Sequence, residues 1–547
     1  MGNPRNKTGL FAWSEPELAP TDLRLGSSPA EPLVVHDIVA TAPQLISTTA
    51  VICTVAAGLF LIHLLIAGRY GYFRDELYYA ACGQHLAWGY VDHAPLIAAI
   101  CWFARRLLGD SLYSLRFFPA LSAAGKVLLT GWMVRELGGR RFAQLLAAVV
   151  VFFCPIYLTM DSFLSMNSFE PLFWMGCAAV AMRIANGGSP RLWLLFGAIA
   201  GAGILNKHST LFFGVACFVS LLIAGRRYLR NPWIWLGALI SFLIFAPNLL
   251  WEIAHHFPTI EVLQNAARLK NAPVSWYAFV AEQALLVHPL AFPVALAGLW
   301  FFFSAGEGRP HRFLGWTYVF LLAQMVILKG RIYYVAPIYP MLFAAGAVWI
   351  ESRIDQRAWD WARRAILIPL TVGGIVAAPL ALPILPVTAA AAYSDFWDIH
   401  KVRVENYDSG PLPQFFADMF GWPNQAKIVA SVYRSLPLQD RAHCVILAAN
   451  YGEAGAIDYF GAPYGLPRAI SPHNNYYLWG PGDSSEHVVI AVGMDERKLQ
   501  TLFGDVQKVA TIVDSYAVPE ESNLPVYLCR DPRIPLSRAW PSLKFFG

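Results

Sequence analysis

Charge is the scarcest property of this sequence. Asp, Glu, Lys and Arg make up 14% of its 547 residues, against roughly a quarter in an ordinary soluble domain. A compact globule of that composition could not clothe its surface, which excludes a soluble enzyme. A fibrous protein and a nucleic-acid binder are excluded too. The 41 Lys and Arg exceed the 36 Asp and Glu by only five, and they sit between apolar blocks rather than on a basic face. The eight cysteines form no CxxC pair and no zinc spacing, and no HExxH motif or phosphate-cradling Gly-rich loop occurs. Asn450 to Gly455 is too loose for such a loop. The polar stretch from Met1 to about Glu31 lacks the apolar centre and small-residue cleavage site of a signal peptide.

What the chain has instead is length without charge. Hydrophobic residues reach 56% with a mean hydropathy of +0.45, and about 20 such residues suffice to cross the hydrocarbon layer. No Asp, Glu, Lys or Arg falls between Asp37 and Arg69. Further runs cover Leu112–Val134, Phe142–Tyr157, Pro171–Ile184, Leu192–Leu205, Thr210–Ala224, Trp233–Trp251, Trp276–Phe303, Leu314–Leu328, Tyr333–Ile350 and Ile366–Ala391. The expectation is a polytopic α-helical membrane protein with about eleven transmembrane helices. Alternate short loops carry clustered arginines (135/140/141, 226/227/230, 353/357/363/364), which marks them cytoplasmic. The N-terminal tail, residues 1–45, then lies inside, and residues 46–393 form the membrane domain. Residues 394–547 hold frequent charges and short β-rich runs, and read as a small exported α/β domain. Its two cysteines, Cys444 and Cys529, stand at predicted strand edges, either disulfide-bonded or as buried thiols.

The chemistry concentrates in the first outer loop, residues 69–110. Tyr70-Gly-Tyr-Phe-Arg74-Asp75-Glu76-Leu-Tyr78-Tyr79 is followed by Trp88-Gly-Tyr90-Val-Asp92-His93-Ala-Pro95-Leu96. The segment is too polar to span and too aromatic for a solvated loop, so short helices along the interface are expected. Asp75 and Glu76, adjacent on a helix, point about 100° apart. One carboxylate can address a reacting group while the other braces a helix end or a cation. The ordinary alternative is an acidic pair at a helix N-terminus. Elsewhere, Glu252 and His255 stand one turn apart without a third ligand, so a divalent metal is a possible cofactor there but not a required one.

This loop resembles that of glycosyltransferase family 39, which includes protein O-mannosyltransferases and is similar to the lipid A aminoarabinose transferases. The likeness is strongest over Tyr70–Leu96 and runs more loosely to about Ile350. It implies a GT-C fold and an inverting transfer of sugar from a polyprenyl-phosphate carrier to a hydroxyl acceptor. The place is the outer face of a bacterial inner membrane, with no required cofactor. In that reading Asp75 is the base, Glu76 supports it, and Asp161, on the outer turn after the third span, adds a second carboxylate. Glu170 is a weaker acidic candidate. Arg74, His93, Arg105, Arg116, Lys207, Lys329 and Tyr333 would contact the substrate or hold the lipid phosphate, for which Arg forks and Lys point charges suit. Lys126, deep in the second span, is either a pocket cation or a snorkelling side chain. A secondary transporter of a polar solute is the alternative function.

Overall fold

Apolar length becomes helix almost throughout, and proline decides where it stops. The computed structural model describes residues 35–270, 274–399, 410–482 and 487–547; nearly all of the N-terminal tail falls outside the described residues. Five described helices are long and apolar enough to cross a membrane: Thr49–Ile66, Leu112–Glu136, Pro232–Ala254, Ile332–Arg357 and Asp360–Ala381. Shorter apolar helices cover Arg141–Phe152, Leu192–Asn206, Thr210–Ala224 and Phe292–Ser304.

Several expected continuous spans are broken. The run read as Phe142–Tyr157 is two helices, Arg141–Phe152 and Pro155–Met160. Pro155 lacks a donor and holds Cys154 extended (φ −72°, ψ 112°). The Trp276–Phe303 run splits into Trp276–Leu286 and Phe292–Ser304, with His288, before Pro289, in the left-handed region at φ 86°. The Ile366–Ala391 run divides likewise at Pro383 and Pro386, giving Asp360–Ala381 and Val387–Phe396. Between the spans, small residues permit close backbone approach, since lipid supplies no hydrophobic drive to bring helices together. A Cβ on Gly298 or Gly346 would collide with the facing backbone of Leu342 or Val294.

After residue 410 the pattern changes to a five-stranded sheet: β1 Cys444–Ala448, β2 Ala469–Ile470, β3 Val488–Val492, β4 Phe503–Ile512 and β5 Leu524–Pro532. The order is β2-β1-β3-β5-β4. β1 pairs in parallel with β2 and β3, while β5 runs antiparallel to β3 and β4. Every residue of β1 and β3 is buried, as continuous apolar strands covered on both faces require. This order decides the cysteine question. Cys444 and Cys529 sit on β1 and β5 with β3 between them. Two strand spacings of about 4.8 Å exceed the roughly 7 Å that a disulfide tolerates, and both thiols are free and buried.

Thr48–Gly547 form one compact unit, so the sheet is not a separate appendage. The Arg74–Gln84 helix packs against the Tyr451–Phe460 helix, which is glycine-rich where they cross. A Cβ on Gly452 or Gly455 would strike Arg74 or Leu77. Tyr72 and Tyr459 share a hydrogen bond at 2.8 Å across that joint. The first outer loop and the C-terminal sheet therefore occupy the same side of the helical body.

Candidate active site

The Arg74–Gln84 helix is fixed at its start by Glu76, whose Oε2 accepts from the Phe73 backbone N–H at 2.8 Å. Glu76 also accepts from Leu164 N at 2.8 Å and from Arg116 Nε and Nη2 at 3.0 and 2.8 Å. Arg116 gives two further donors to the carbonyls of Ala67 and Gly71, each at 2.7 Å. Both side chains are closed from solvent, at 1% and 0% exposure. Two expectations are corrected here. Arg116 cannot hold a lipid phosphate, because four of its five donors are spent tying the loop together. Glu76, read as catalytic in support of Asp75, is the carboxylate of the pair that braces a helix end and a cation.

Asp161 is corrected in the same way. Read as a second catalytic carboxylate on an outer turn, it is 1% exposed and accepts from Lys126 Nζ at 2.5 and 2.7 Å. Lys126 is equally buried and is paired with Asp161 rather than snorkelling. Arg105 is also committed, in a fork to Asp110 (3.0 and 2.5 Å) with its guanidinium over Tyr459. The cause is the same for the two buried pairs, whereas Arg105 and Asp110, at 21% and 49% exposure, pair at the surface. A charge withdrawn from water needs a partner of opposite sign, and the sequence does not reveal which charges are withdrawn.

Asp75, one residue before Glu76, is left half-buried. The Tyr451 hydroxyl, 376 residues away, donates to its Oδ1 at 2.9 Å. Burial and the nearby Asp75 push the Tyr451 phenol well above its ordinary value, so it stays a donor. Around this carboxylate stand Tyr79, Asp92 and His93. Asp92, half-buried, accepts from Tyr78 Oη at 2.8 Å. His93 stacks on Tyr90 at 4.5 Å and packs edge-on to Tyr78 and Tyr79. Its Nδ1 contacts the Ala94 carbonyl at 3.0 Å, and its buried Nε2 has no hydrogen-bond partner. Burial pushes the ring below its ordinary value, against Asp92 and Asp75, which raise it, so it is neutral at pH 7.

Lys207 lies beyond His208, whose Nε2 is 2.8 Å from Asn248 Oδ1. Its ammonium reaches Asn167 Oδ1 at 2.7 Å and Glu170 Oε2 at 3.1 Å, and it sits over the Tyr334 and Tyr333 rings at 4.4 and 5.5 Å. Arg331 donates to the Tyr333 hydroxyl at 3.3 Å. Lys329 is exposed, with a left-handed φ of 51°. Arg74 faces Asp418 at 3.7 Å and the Tyr451 ring at 5.8 Å. Glu252 bonds Thr259 at 2.6 Å while His255 stacks on Trp251. Among the described residues no three His, Cys, Asp or Glu groups converge on a metal position.

Sequence reasoning missed the C-terminal contribution. Tyr451 holds Asp75, Asp418 faces Arg74, and Asn475 Oδ1 accepts from Val91 N at 2.7 Å. The one local sign was Asn450, a good N-cap residue, whose side chain caps Gly452 and Glu453 and so fixes where Tyr451 begins its helix.

Comparisons with known proteins agree with this picture. Residues 92–251 match the dolichyl-phosphate-mannose-protein mannosyltransferase family, a stretch that includes Asp92, His93, Lys207 and Asn248. An undecaprenyl phosphate-alpha-4-amino-4-deoxy-L-arabinose arabinosyl transferase of Pectobacterium carotovorum is 28% identical over 275 residues, 45% of this chain and 47% of that protein. The chain thus spans about half the length of this curated relative. ArnT from Cupriavidus metallidurans, solved bound to undecaprenyl phosphate, superposes with a TM-score of 0.59 at 14% identity, covering 88% of this chain and 98% of that one. The mycobacterial arabinofuranosyltransferase AftD reaches 0.50 at 13% identity, over 88% of this chain and 40% of its own. The chain shares the GT-C fold of these neighbours and is a polytopic helical membrane protein.

Proposed function

We propose that this protein is an inverting glycosyltransferase of the bacterial inner membrane. It moves a sugar from a polyprenyl-phosphate carrier to a hydroxyl acceptor on the outer face. The N-terminus is cytoplasmic, the C-terminal α/β domain extracytoplasmic, and the shorter apolar helices bring the span count to about eleven. The acceptor oxygen attacks the anomeric carbon, a new C–O bond forms, and the bond from that carbon to the carrier phosphate breaks. The acceptor proton passes to Asp75, and the pair of electrons leaves with the polyprenyl phosphate. A positioned carboxylate base is worth about 10²–10⁴ in rate, and no metal is needed.

One observation carries the assignment of the base. Of the three carboxylates read as catalytic, Glu76 and Asp161 are sealed in ion pairs, whereas Asp75 is partly open and oriented by a phenol. The carrier phosphate is held by Lys207 and Lys329, with Tyr333 and Arg331 ordering that end. Lys207 has three donors, two of them engaged. His93, with its Nε2 unpartnered, is the remaining polar contact. The matched family and relatives are transferases, which favours transfer over solute transport.

The test is sugar transfer from a synthetic polyprenyl-phosphate sugar by the purified full-length protein. Activity in the wild type, lost in Asp75→Asn, supports the reading. Uptake of an unmodified solute into sealed vesicles, without transfer, would replace it with the transporter.

A further inference from the structure

A cavity of about 340 Å³ lies beside Asp75 on the C-terminal side, within the range of roughly 300–1,000 Å³ typical of small-molecule sites. Tyr451 belongs to both places, lining the cavity while its hydroxyl holds Asp75. The polar lining is acidic, with Glu453, Glu520 and Glu521 outnumbering Arg74, which already faces Asp418. Glu453 and Glu521 are buried at 1% and 7% exposure. A single amide joins them, as Asn450 Nδ2 donates to Glu453 Oε1 at 3.0 Å and to Glu521 Oε1 at 2.9 Å. Glu453 Oε2 takes the Ala449 N–H at 2.8 Å, but the buried Glu521 Oε2 has no hydrogen-bond partner. Burial and the neighbouring carboxylate push Glu453 well above its ordinary value, and burial pushes Glu521 up as well.

Carboxylates only accept hydrogen bonds, and an ammonium only donates them. A buried carboxyl pair that ionises only at a cost, with one oxygen left unpartnered, therefore fits a guest that brings donors and a positive charge to offset that cost. The other polar lining groups, Asn265, Asn450 and His473, are already hydrogen-bonded within the protein, which leaves the carboxyl pair as the site's demand. Tyr451 both lines the cavity and holds Asp75, so a guest there sits one side chain away from the base that takes a proton from the acceptor. We propose that this cavity binds an amine-bearing head of the acceptor, with the ammonium between Glu453 and Glu521. The assignment of the guest as acceptor rests on the transferase reading above; the binding itself does not.

The experiment is equilibrium binding of glucosamine, with glucose as the neutral control, to the full-length protein in detergent. Glucosamine is expected to bind at least about tenfold more tightly than glucose. Glu521→Gln should cost about tenfold in glucosamine affinity without lowering the melting temperature of the unliganded protein, because it removes a buried charge and keeps the shape. Leu269→Trp offers an independent block. Leu269 lines the cavity and is 56% exposed, so a larger ring there obstructs entry without touching the core, and binding should fall at least tenfold. Equal affinity for the two sugars, or glucosamine affinity unchanged in both variants, overturns the proposal. Binding that behaves as expected in a protein that transfers no sugar leaves the cavity standing and sinks the transferase reading instead.

Discussion

Buried carboxylates are treated differently in the two parts of this molecule. In the helical body three of them are matched to cations, Glu76 to Arg116, Asp161 to Lys126 and Glu170 to Lys207, while Glu351 and Glu252 take backbone N–H groups and a hydroxyl. In the C-terminal segment Glu453 and Glu521 share one amide donor. A charge buried in a helical membrane body is costly unless it is paired, so losing the cation of one of these three pairs should cost folding. Beside an aqueous cavity an unmatched carboxylate can be kept for a guest or a proton. Asp75 stands at the border, attached to the first part by sequence and to the second by Tyr451. The largest effect should come from breaking a pair in the body. Arg116→Met would strand Glu76 at 0% exposure, and removal of one partner of a buried pair costs about 3–5 kcal/mol. The expected readout is a steep fall in melting temperature in detergent, largely restored by adding Glu76→Gln. A stable Arg116→Met single variant would break the comparison.

The next effect moves from stability to rate. Asp75→Asn should lower turnover at least about a hundredfold, some 2.7 kcal/mol, with the melting temperature unchanged. The adjacent acid should do the reverse, since Glu76→Gln would be felt first in folding. If both variants lose stability and rate together, the two carboxylates are not divided between structure and chemistry.

How much of this was legible beforehand follows from the range of each interaction. The apolar runs and the Arg74–Tyr79 motif are local, and helices such as Leu192–Asn206 and Thr210–Ala224 stand within a residue of the runs that announced them. Breaks at His288-Pro289 and Pro383 were also local, and the proline rule would have found them. The fate of each charge was not local. Arg116, Lys126 and Arg105 look like phosphate-seeking cations in sequence, and only the fold shows each already bound to Glu76, Asp161 or Asp110. Tyr451 could not be placed beside Asp75 by any spacing rule, because helix packing at Gly452 and Gly455 brings it there.

That packing makes Tyr451 the sharper probe of the border. Tyr451→Phe keeps the ring against Tyr78, at 4.5 Å, and removes only the hydroxyl. A hydrogen bond to a charged group contributes about 1.5–3 kcal/mol, and part of it survives through relaxation. The expected loss is about tenfold in kcat with KM for the carrier lipid little changed, measured by the same transfer assay. A pure KM effect would mean that Tyr451 serves binding and does not orient the base.

The smallest effect, and the most direct contrast with Glu76, is a pH slope. Glu453 and Glu521 are both raised in the folded protein, so between their unfolded and folded values the native state holds protons that the unfolded chain has released. Stability then falls as pH rises through that window, above about 4.5. Replacing Glu521 by Gln deletes one of these sites and relieves the like charge that raises Glu453. The wild type should therefore lose melting temperature between pH 5 and 8 more steeply than Glu521→Gln, by a few degrees at most. Of the other charged or titratable groups lining this cavity, Tyr451 and His473 are common to both proteins, while Arg74 opposes and Glu520 adds to the rise at Glu521. Parallel slopes would mean that an unmodified cation already neutralises the pair, and the contrast between the two parts of the molecule would be lost.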